Sequence, residues 1–371
     1  MTCEISGVSE PIPVSPARPS MRRSGESFAD LTTIGVGGPA RAIVRAQSEE
    51  EIVAAVRECD ESGEPVLLLG GGSNLLVADE GFAGTVVIDT RAKIGVIEES
   101  ACGGALVRAS GGTSWDEFVR FAISHSYRGI EALSGIPGTV GATPVQNVGA
   151  YGQEVSQTIS SVRVYDRLTK RRTDLANAEL DFGYRTSAIK RSTAQWGATG
   201  RWIVLGVTYQ FGLGNLSEPI AYGQLATHLG TEVGKRVPQV DAREAVLDLR
   251  ASKGMVLDDD DRDTYSCGSF FTNPVLEAGQ VPSGAPVYPY GEKVKTSAAW
   301  LIDHAGCTKG FGGELTEGRA SLSTRHTLAI TNRGGASCDD VLTVARAVRD
   351  RVREAWGIEL VNEPVILGHT L

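Results

Sequence analysis

At 371 residues the chain exceeds the size at which one hydrophobic core keeps growing, so two domains are expected. Apolar residues at 41% and charged residues at 22% describe an ordinary globular protein, and a net charge of −9 argues against nucleic acid or an anionic membrane surface as the main partner. No stretch approaches the roughly 20 apolar residues that cross a bilayer, and six scattered cysteines without a C-x-x-C pair read as reduced, cytoplasmic thiols rather than a disulfide framework.

Residues 1–24 are rich in Pro, Ser and Glu and lack an apolar run, so they read as a disordered tail and not as a secretory signal, with Met21 as a second possible start. ARAIVRA (40–46) reads as a strand, and Ser48-Glu49-Glu50-Glu51 offers a capping box into the helix EEIVAAVREC, with Ile52, Val53 and Val56 on one face. The apolar strand PVLLLG (65–70) runs straight into GGGSN, and roughly the next hundred residues read as short strands and turns. One helix interrupts them, WDEFVRFAIS, opened by Ser114-x-x-Glu117. The segment IPGTVGATPVQNVGAYGQE (136–154) suits a loop wrapped on a ligand better than a linker. Strands resume at SVRVYD and WIVLGVTYQF.

Helical spacing at Val240, Ala245, Val246 and Leu249 in PQVDAREAVLDLRASKG places a domain boundary just before that segment, giving domains of residues 25–236 and 237–371. The second contains the acidic run Asp258 to Asp261, the strand YSCGSFFTNP, the helix SAAWLIDHAG and the strand LAITN. A helix from Cys338 to Trp356 follows, burying Val341, Leu342, Val344, Ala345, Val348 and Val352.

GGGSN admits two readings, a phosphate cradle of bare backbone N–H groups or a sharp turn needing positive φ. A dinucleotide fingerprint would need a helix directly after it, whereas strand-like sequence continues from Leu75, which argues against a Rossmann site. Further glycine clusters at Gly35 to Gly38 and Gly138 to Gly152 point to a large ligand with a phosphate-bearing chain. Arg185, in DFGYRTSAIK, could hold a carboxylate bidentately or form a surface ion pair. Arg250 and Lys253, one face of a helix, fit either a diphosphate or solvated charge. Glu363, in GIELVNEPVILG, fits a structural ion pair or a site role, because a carboxylate in apolar sequence is costly unless paired. The five histidines show no metal-ligand pattern, so no metal is expected.

Together these stretches resemble the UDP-N-acetylenolpyruvoylglucosamine reductase (MurB) family over about residues 28 to 369. The resemblance rests on TTIGVGGPA, VLLLGGGSNLL, GIPGTVGATPVQNVGAYGQE, FGYRTS, GSFFTNP, AAWLID-x-x-G-x-K-G and NEPVILG in order. It implies an α+β fold, a two-part FAD-binding domain of the vanillyl-alcohol-oxidase/PCMH type followed by a smaller C-terminal substrate domain. It also implies a monomeric cytoplasmic enzyme using non-covalent FAD and NADPH to reduce UDP-N-acetylglucosamine enolpyruvate to UDP-N-acetylmuramate, a peptidoglycan precursor. Arg185, Ser269 and Glu363 match the catalytic positions. The FAD loops match Gly70, Gly71, Gly72, Ser73 and Asn74, then Ile136, Pro137, Gly138 and Gly141, then Gln146, Asn147, Gly149, Ala150, Tyr151 and Gly152. Tyr184, Tyr222, Lys253 and Asn273 match substrate-binding positions, Tyr222 being the tyrosine of the subtype whose loop closes over substrate. Family members often carry Asn-Thr-Phe where Leu31-Thr32-Thr33-Ile34 stands, so those positions are left out of the site.

The implied chemistry passes hydride from flavin N5 to C3 of the enolpyruvyl group and a proton from Ser269 to C2, with Arg185 and Glu363 on the carboxylate. Phe270 and Phe271 are expected to pack the strand and keep the serine hydroxyl fixed and dry. Two other readings stand beside it. A flavin oxidase of the same fold often tethers its flavin through histidine, and no histidine precedes His125. A nucleotide-sugar binding protein that has lost catalysis would show damage at one of the three catalytic positions, and all three are intact.

Overall fold

A computed structural model of the chain describes residues 12–13 and 27–371. The expected tail, residues 1–24, lies outside the described residues except for Ile12–Pro13, a two-residue strand paired with Lys93 and Ile94. The described chain divides into two compact units. The first comprises residues 12–13, Arg41–Gly71 and Ala83–Ala251; the second comprises residues 27–40, Gly72–Phe82 and Ser252–Leu371.

In the first unit a seven-stranded sheet runs, in spatial order, Ile12–Pro13, Lys93–Ser100, Gly104–Ser110, Trp202–Leu213, Ile159–Asp166, Arg171–Ala176, with Tyr127–Arg128 also pairing with Trp202–Leu213. All its pairings are antiparallel. One face packs on the helix Trp115–Ser124 through an aromatic cluster in which Phe118 and Tyr209 lie 4.8 Å apart. The polar atoms taken into this core are satisfied: Trp115 Nε1 donates to the Leu133 carbonyl at 3.0 Å, and the Tyr209 and Thr143 hydroxyls share a bond of 2.9 Å.

A smaller sheet, Ala40–Ala46, Phe82–Asp89 and Val66–Leu69, carries the helix Glu49–Ser62, which buries Ile52, Val56 and Cys59 against it. Ser48 caps that helix by accepting from Glu51 N at 3.1 Å, and the Glu51 carboxylate reaches back to Gln47 N at 2.8 Å. Leu75 opens the strand Leu75–Val77, so the glycine run joins strand to strand, as expected.

The helix Trp115–Ser124 opens at Ser114 as expected, although the Ser114 side chain makes no capping bond: the residue bridges in main-chain pairing to Thr139, and Glu117 pairs with Arg120 at 2.9 Å. One local expectation fails. Val240 is 54% exposed. The inward stripe of the helix Gln239–Ser252 is Ala242, Ala245, Val246 and Leu249, spaced i, i+3, i+4, i+7, and Val240 falls off it.

In the second unit the strands Ser266–Ser269, Ala329–Asn332 and Ala320–Leu322 form an antiparallel sheet, with Ala329–Asn332 central. The helix Cys338–Trp356 shares its core with them, burying Val341, Leu342, Val344, Ala345, Val348 and Val352 as the spacing predicts. The Asp79 carboxylate receives Cys338 N at 3.0 Å, placing an acid at the positive end of the helix dipole. Leu75–Val77 pairs in parallel with Val365–Leu367, which is where the C-terminal strand begins; Glu363 precedes it.

Ser337 and Asp340 close a reciprocal capping box on this helix, each main-chain N–H donating to the other's side chain at 3.0 Å. Ser337→Ala is expected to destabilise the protein by about 1 kcal/mol, read as a lowered denaturant midpoint at unchanged slope; an unshifted midpoint would mean that the cap contributes nothing.

Candidate functional site

The expected ligand loops are shaped by main chain lying on main chain. In the first unit a Cβ added at Gly71 would stand 2.6 Å from the Gly138 Cα, and one at Gly141 would stand 2.9 Å from the Gly111 Cα. Only glycine permits such an approach. In the second unit Thr33 N donates to the Gly72 carbonyl at 3.0 Å, and a Cβ at Gly72 would lie 2.0 Å from the Leu31 carbonyl oxygen. The segment Leu31 to Ile34, left out of the sequence-based site, is thus packed on the glycine run. Its signal was Thr32-Thr33: Thr33 Oγ1 donates to the Ser266 carbonyl at 2.6 Å, while Thr32 Oγ1 donates to Phe28 O at 2.6 Å.

Residues 70–74, 136–141 and 146–152 contain no charged side chain. What they offer is main-chain N–H groups with Ser73, Asn74 and Gln146, a neutral donor set. That chemistry fits the pyrophosphate and polar ring edges of a flavin dinucleotide. Asn147 is fully buried, and its side chain is engaged inside the protein: its amide donates to Glu154 Oε2 at 2.8 Å and to the Gly183 carbonyl at 3.1 Å, and its Oδ1 accepts from Ser156 N at 3.1 Å.

Arg185 sits in the left-handed region, φ +54°, just before Ser187 caps the helix Ala188–Trp196. Its Nη2 donates to the Gly149 carbonyl at 2.7 Å, and the guanidinium lies 5.5 Å from the Tyr184 ring centroid. Lys190 Nζ reaches the Arg185 carbonyl at 3.2 Å and Gln146 Oε1 at 3.5 Å, so Arg185, Gln146 and Gly149 are gathered in one place. Tyr151 and Tyr222 meet in the same unit, ring centroids 5.6 Å apart. Arg250 proves buried, where burial pushes its pKa down while Tyr151 and Asp116 oppose the shift.

Ser269, Asn273, Lys253, Asn74 and Glu363 belong to the second unit. Gly268, φ +72°, turns the chain into half-buried Ser269, and Phe270 and Phe271 go into the core edge-to-face at 5.2 Å. Phe270 N donates to Leu328 O at 2.7 Å, and Glu363 N donates to Phe270 O at 2.8 Å. Asn74 Nδ2 donates to the Glu363 carbonyl at 3.4 Å, and Asn74 O accepts from Val365 N at 3.0 Å. Ser269, Glu363 and Asn74 are therefore joined through a few main-chain bonds. Asn273 Oδ1 accepts from Ala298 N at 3.0 Å, at the start of the helix Ala298–His304.

Lys253 and Lys309 both act on the charge of His326. His326 is pushed down to about 4 by burial first and by the Lys253 and Lys309 charges second, so it is neutral at pH 7. Its loop is fixed by Asp263, which accepts from Ser323 Oγ at 2.8 Å, Thr324 Oγ1 at 2.5 Å, Thr324 N at 2.8 Å and Arg333 Nη1 at 2.9 Å. Burial works to raise the Asp263 pKa, but these donors hold it below the usual carboxylate range. Among the described residues no group of three or more His, Cys, Asp or Glu could hold a metal ion.

The chain can be compared with known proteins on this basis. The family model "FAD binding domain" matches residues 40–170, and "UDP-N-acetylenolpyruvoylglucosamine reductase, C-terminal domain" matches residues 260–367. The chain is 52% identical to the UDP-N-acetylenolpyruvoylglucosamine reductase of Cutibacterium acnes, over 93% of this chain and 90% of that one. It is 49% identical to that of Thermobifida fusca, over 93% and 97%. Among solved structures it is similar to UDP-N-acetylenolpyruvylglucosamine reductase (MurB) from Thermus caldophilus, with a TM-score of 0.59 and 26% identity over 92% of this chain and 97% of that one. The α+β make-up, with an FAD-binding domain and a distinct C-terminal domain, is the one that the resemblance implied.

Gly71→Ala drives a Cβ into backbone and is expected to cost about 1–3 kcal/mol and to lower bound flavin per chain, measured from visible absorbance; full flavin content would remove the loop from the cofactor site. For His326 the pKa is about 4 folded and about 6.5 unfolded. The unfolded state therefore binds the extra proton, and stability falls as pH drops from 6.5 towards 4, by roughly 1 kcal/mol per pH unit. His326→Gln should flatten that slope in denaturant titrations; equal slopes would contradict the assignment.

Proposed function

The chain belongs to the UDP-N-acetylenolpyruvoylglucosamine reductase family, and we propose that it reduces UDP-N-acetylglucosamine enolpyruvate to UDP-N-acetylmuramate with NADPH as the electron source. The step is the reduction in peptidoglycan precursor synthesis. The observation that carries the reading is the main-chain ladder of the second unit: Glu363 N bonded to Phe270 O sets Glu363 beside the residue that follows Ser269. A proton donor and a carboxylate are thereby fixed by backbone rather than by flexible side chains.

FAD would be held by residues 70–74, 136–141 and 146–152, and it would supply the hydride transfer that links NADPH to the enolpyruvyl group. The protein's own groups do the rest. Arg185 takes the substrate carboxylate, where charge builds as C3 receives hydride, and stabilises it. Its guanidinium is pre-aimed by the Gly149 carbonyl and the Tyr184 ring. Glu363 polarises the same end of the substrate. Ser269 gives its proton to C2; a hydroxyl is a weak acid, but the acceptor is a strongly basic carbon. Lys253 holds the diphosphate, and Asn273, Tyr184 and Tyr222 hold the rest of the sugar nucleotide. Among the described residues no helix is long and apolar enough to cross a membrane, and the enzyme acts as a cytoplasmic monomer.

The direct test is NADPH consumption by the flavin-loaded protein under anaerobic conditions, with and without UDP-N-acetylglucosamine enolpyruvate. Sustained turnover only with that substrate is expected. Flavin bleaching without turnover would send the search to another acceptor. Ser269→Ala should leave flavin reduction by NADPH near normal and slow substrate reduction by about 10²- to 10⁴-fold; parallel loss of both half-reactions would refute the proton-donor role.

A further inference from the structure

Tyr151 stands where a tyrosine is a poor choice. Gly149–Ala150 and Gln153–Glu154 pair antiparallel, Ala150 opposite Gln153, so Tyr151 and Gly152 form a two-residue hairpin turn. Both have positive φ, +49° and +86°. That turn favours Asn-Gly or Gly-Gly, and a bulky side chain in its first position is strained by of order 1 kcal/mol or more. The ring is retained: it packs beside the cluster that contains Ala132, Ile220, Leu225 and Val246, and it meets Tyr222 edge-on at 5.6 Å with the planes at 86°.

The surroundings confirm that the hairpin and the Tyr222 segment are built together. A Cβ added at Gly152 would stand 2.7 Å from the Ala221 Cβ. Beneath them Glu131, 1% exposed, receives Gly129 N at 2.7 Å on one oxygen. Its other oxygen receives Gln153 Nε2 at 3.0 Å and Glu218 N at 2.5 Å. Gln153 Oε1 in turn accepts Ala132 N at 2.8 Å. One buried carboxylate thus ties the far strand of the hairpin to the chain four residues before Tyr222. The near strand is tied to Arg185 through the Gly149 carbonyl.

We propose that Tyr151 is a positioning residue for substrate, the seat that holds the Tyr222 ring edge-on at the tip of the Gly149–Glu154 hairpin. The same hairpin then aims both Arg185 and Tyr222, and ordering one favours the other. This deepens the functional reading above and rests on it.

The test is a double-mutant cycle on the flavin-loaded enzyme: wild type, Tyr151→Asn, Tyr222→Leu and the double variant, with Tyr151→Phe as the conservative replacement. Asparagine suits the turn better than tyrosine, which offsets part of the packing that the ring gives up, so Tyr151→Asn should remain folded at the assay temperature. It should raise KM for UDP-N-acetylglucosamine enolpyruvate about three- to tenfold, the worth of an aromatic pair. Tyr151→Phe should restore the wild-type KM, and in the Tyr222→Leu background Tyr151→Asn should change KM by less than about twofold. Glu131→Gln, which cannot receive all three donors, should show the same loss of effect once Tyr222 is leucine. KM effects that multiply in the double variant at full flavin content, or a Phe replacement as poor as Asn, would overturn the inference alone. Failure of the wild type to turn over this substrate would overturn the functional reading and the inference with it.

Discussion

Both units depend on backbone packed against backbone at glycine. Gly71 on Gly138, Gly141 on Gly111 and Gly72 on the Leu31 carbonyl are approaches closer than any Cβ would allow. Glycine in such places loses more conformational freedom on folding than any other residue. What the chain gains is loops that cannot drift and that present main-chain N–H groups without charge. Such loops suit a ligand held by geometry and dipoles rather than by ion pairs.

Support for the proposed reactive groups follows the same logic. In the second unit Ser269 and Glu363 are placed by bonds between Phe270, Leu328, Glu363 and Asn74, all involving main chain. In the first unit Arg185 leans on the Gly149 carbonyl, and Lys190 ties its carbonyl to Gln146. Groups that act on developing charge lose effect when misplaced by an ångström, so anchorage to sheet and helix ends matters as much as residue identity. Lys253 and Lys309 act on a buried His326 that is neutral at pH 7.

The chain's own pattern determined a good deal. The stripe of valines and leucines placed the helix Cys338–Trp356 and its buried face, because a 3.6-residue period is a local property. GGGSN followed by a strand former excluded the Rossmann arrangement, and the ordered motifs pointed to the reductase family and its α+β fold. Tertiary structure decided what sequence distance hides. Residues 27–40 and Gly72–Phe82 group with the C-terminal part, since pairing of Leu75–Val77 with Val365–Leu367 joins segments some three hundred residues apart. Arg250, read from the sequence as a diphosphate ligand or solvated charge, is buried, while Val240 faces water, because the inward stripe is set by what the helix packs on. Glu131 carried no motif, and Tyr151 and Tyr222 were matched singly, in separate motifs, with nothing to say that their rings meet. A carboxylate that receives donors from three separate stretches, and a turn residue chosen for its neighbour rather than its φ, become visible only when those stretches are folded together. Local propensity has no term for such a partner.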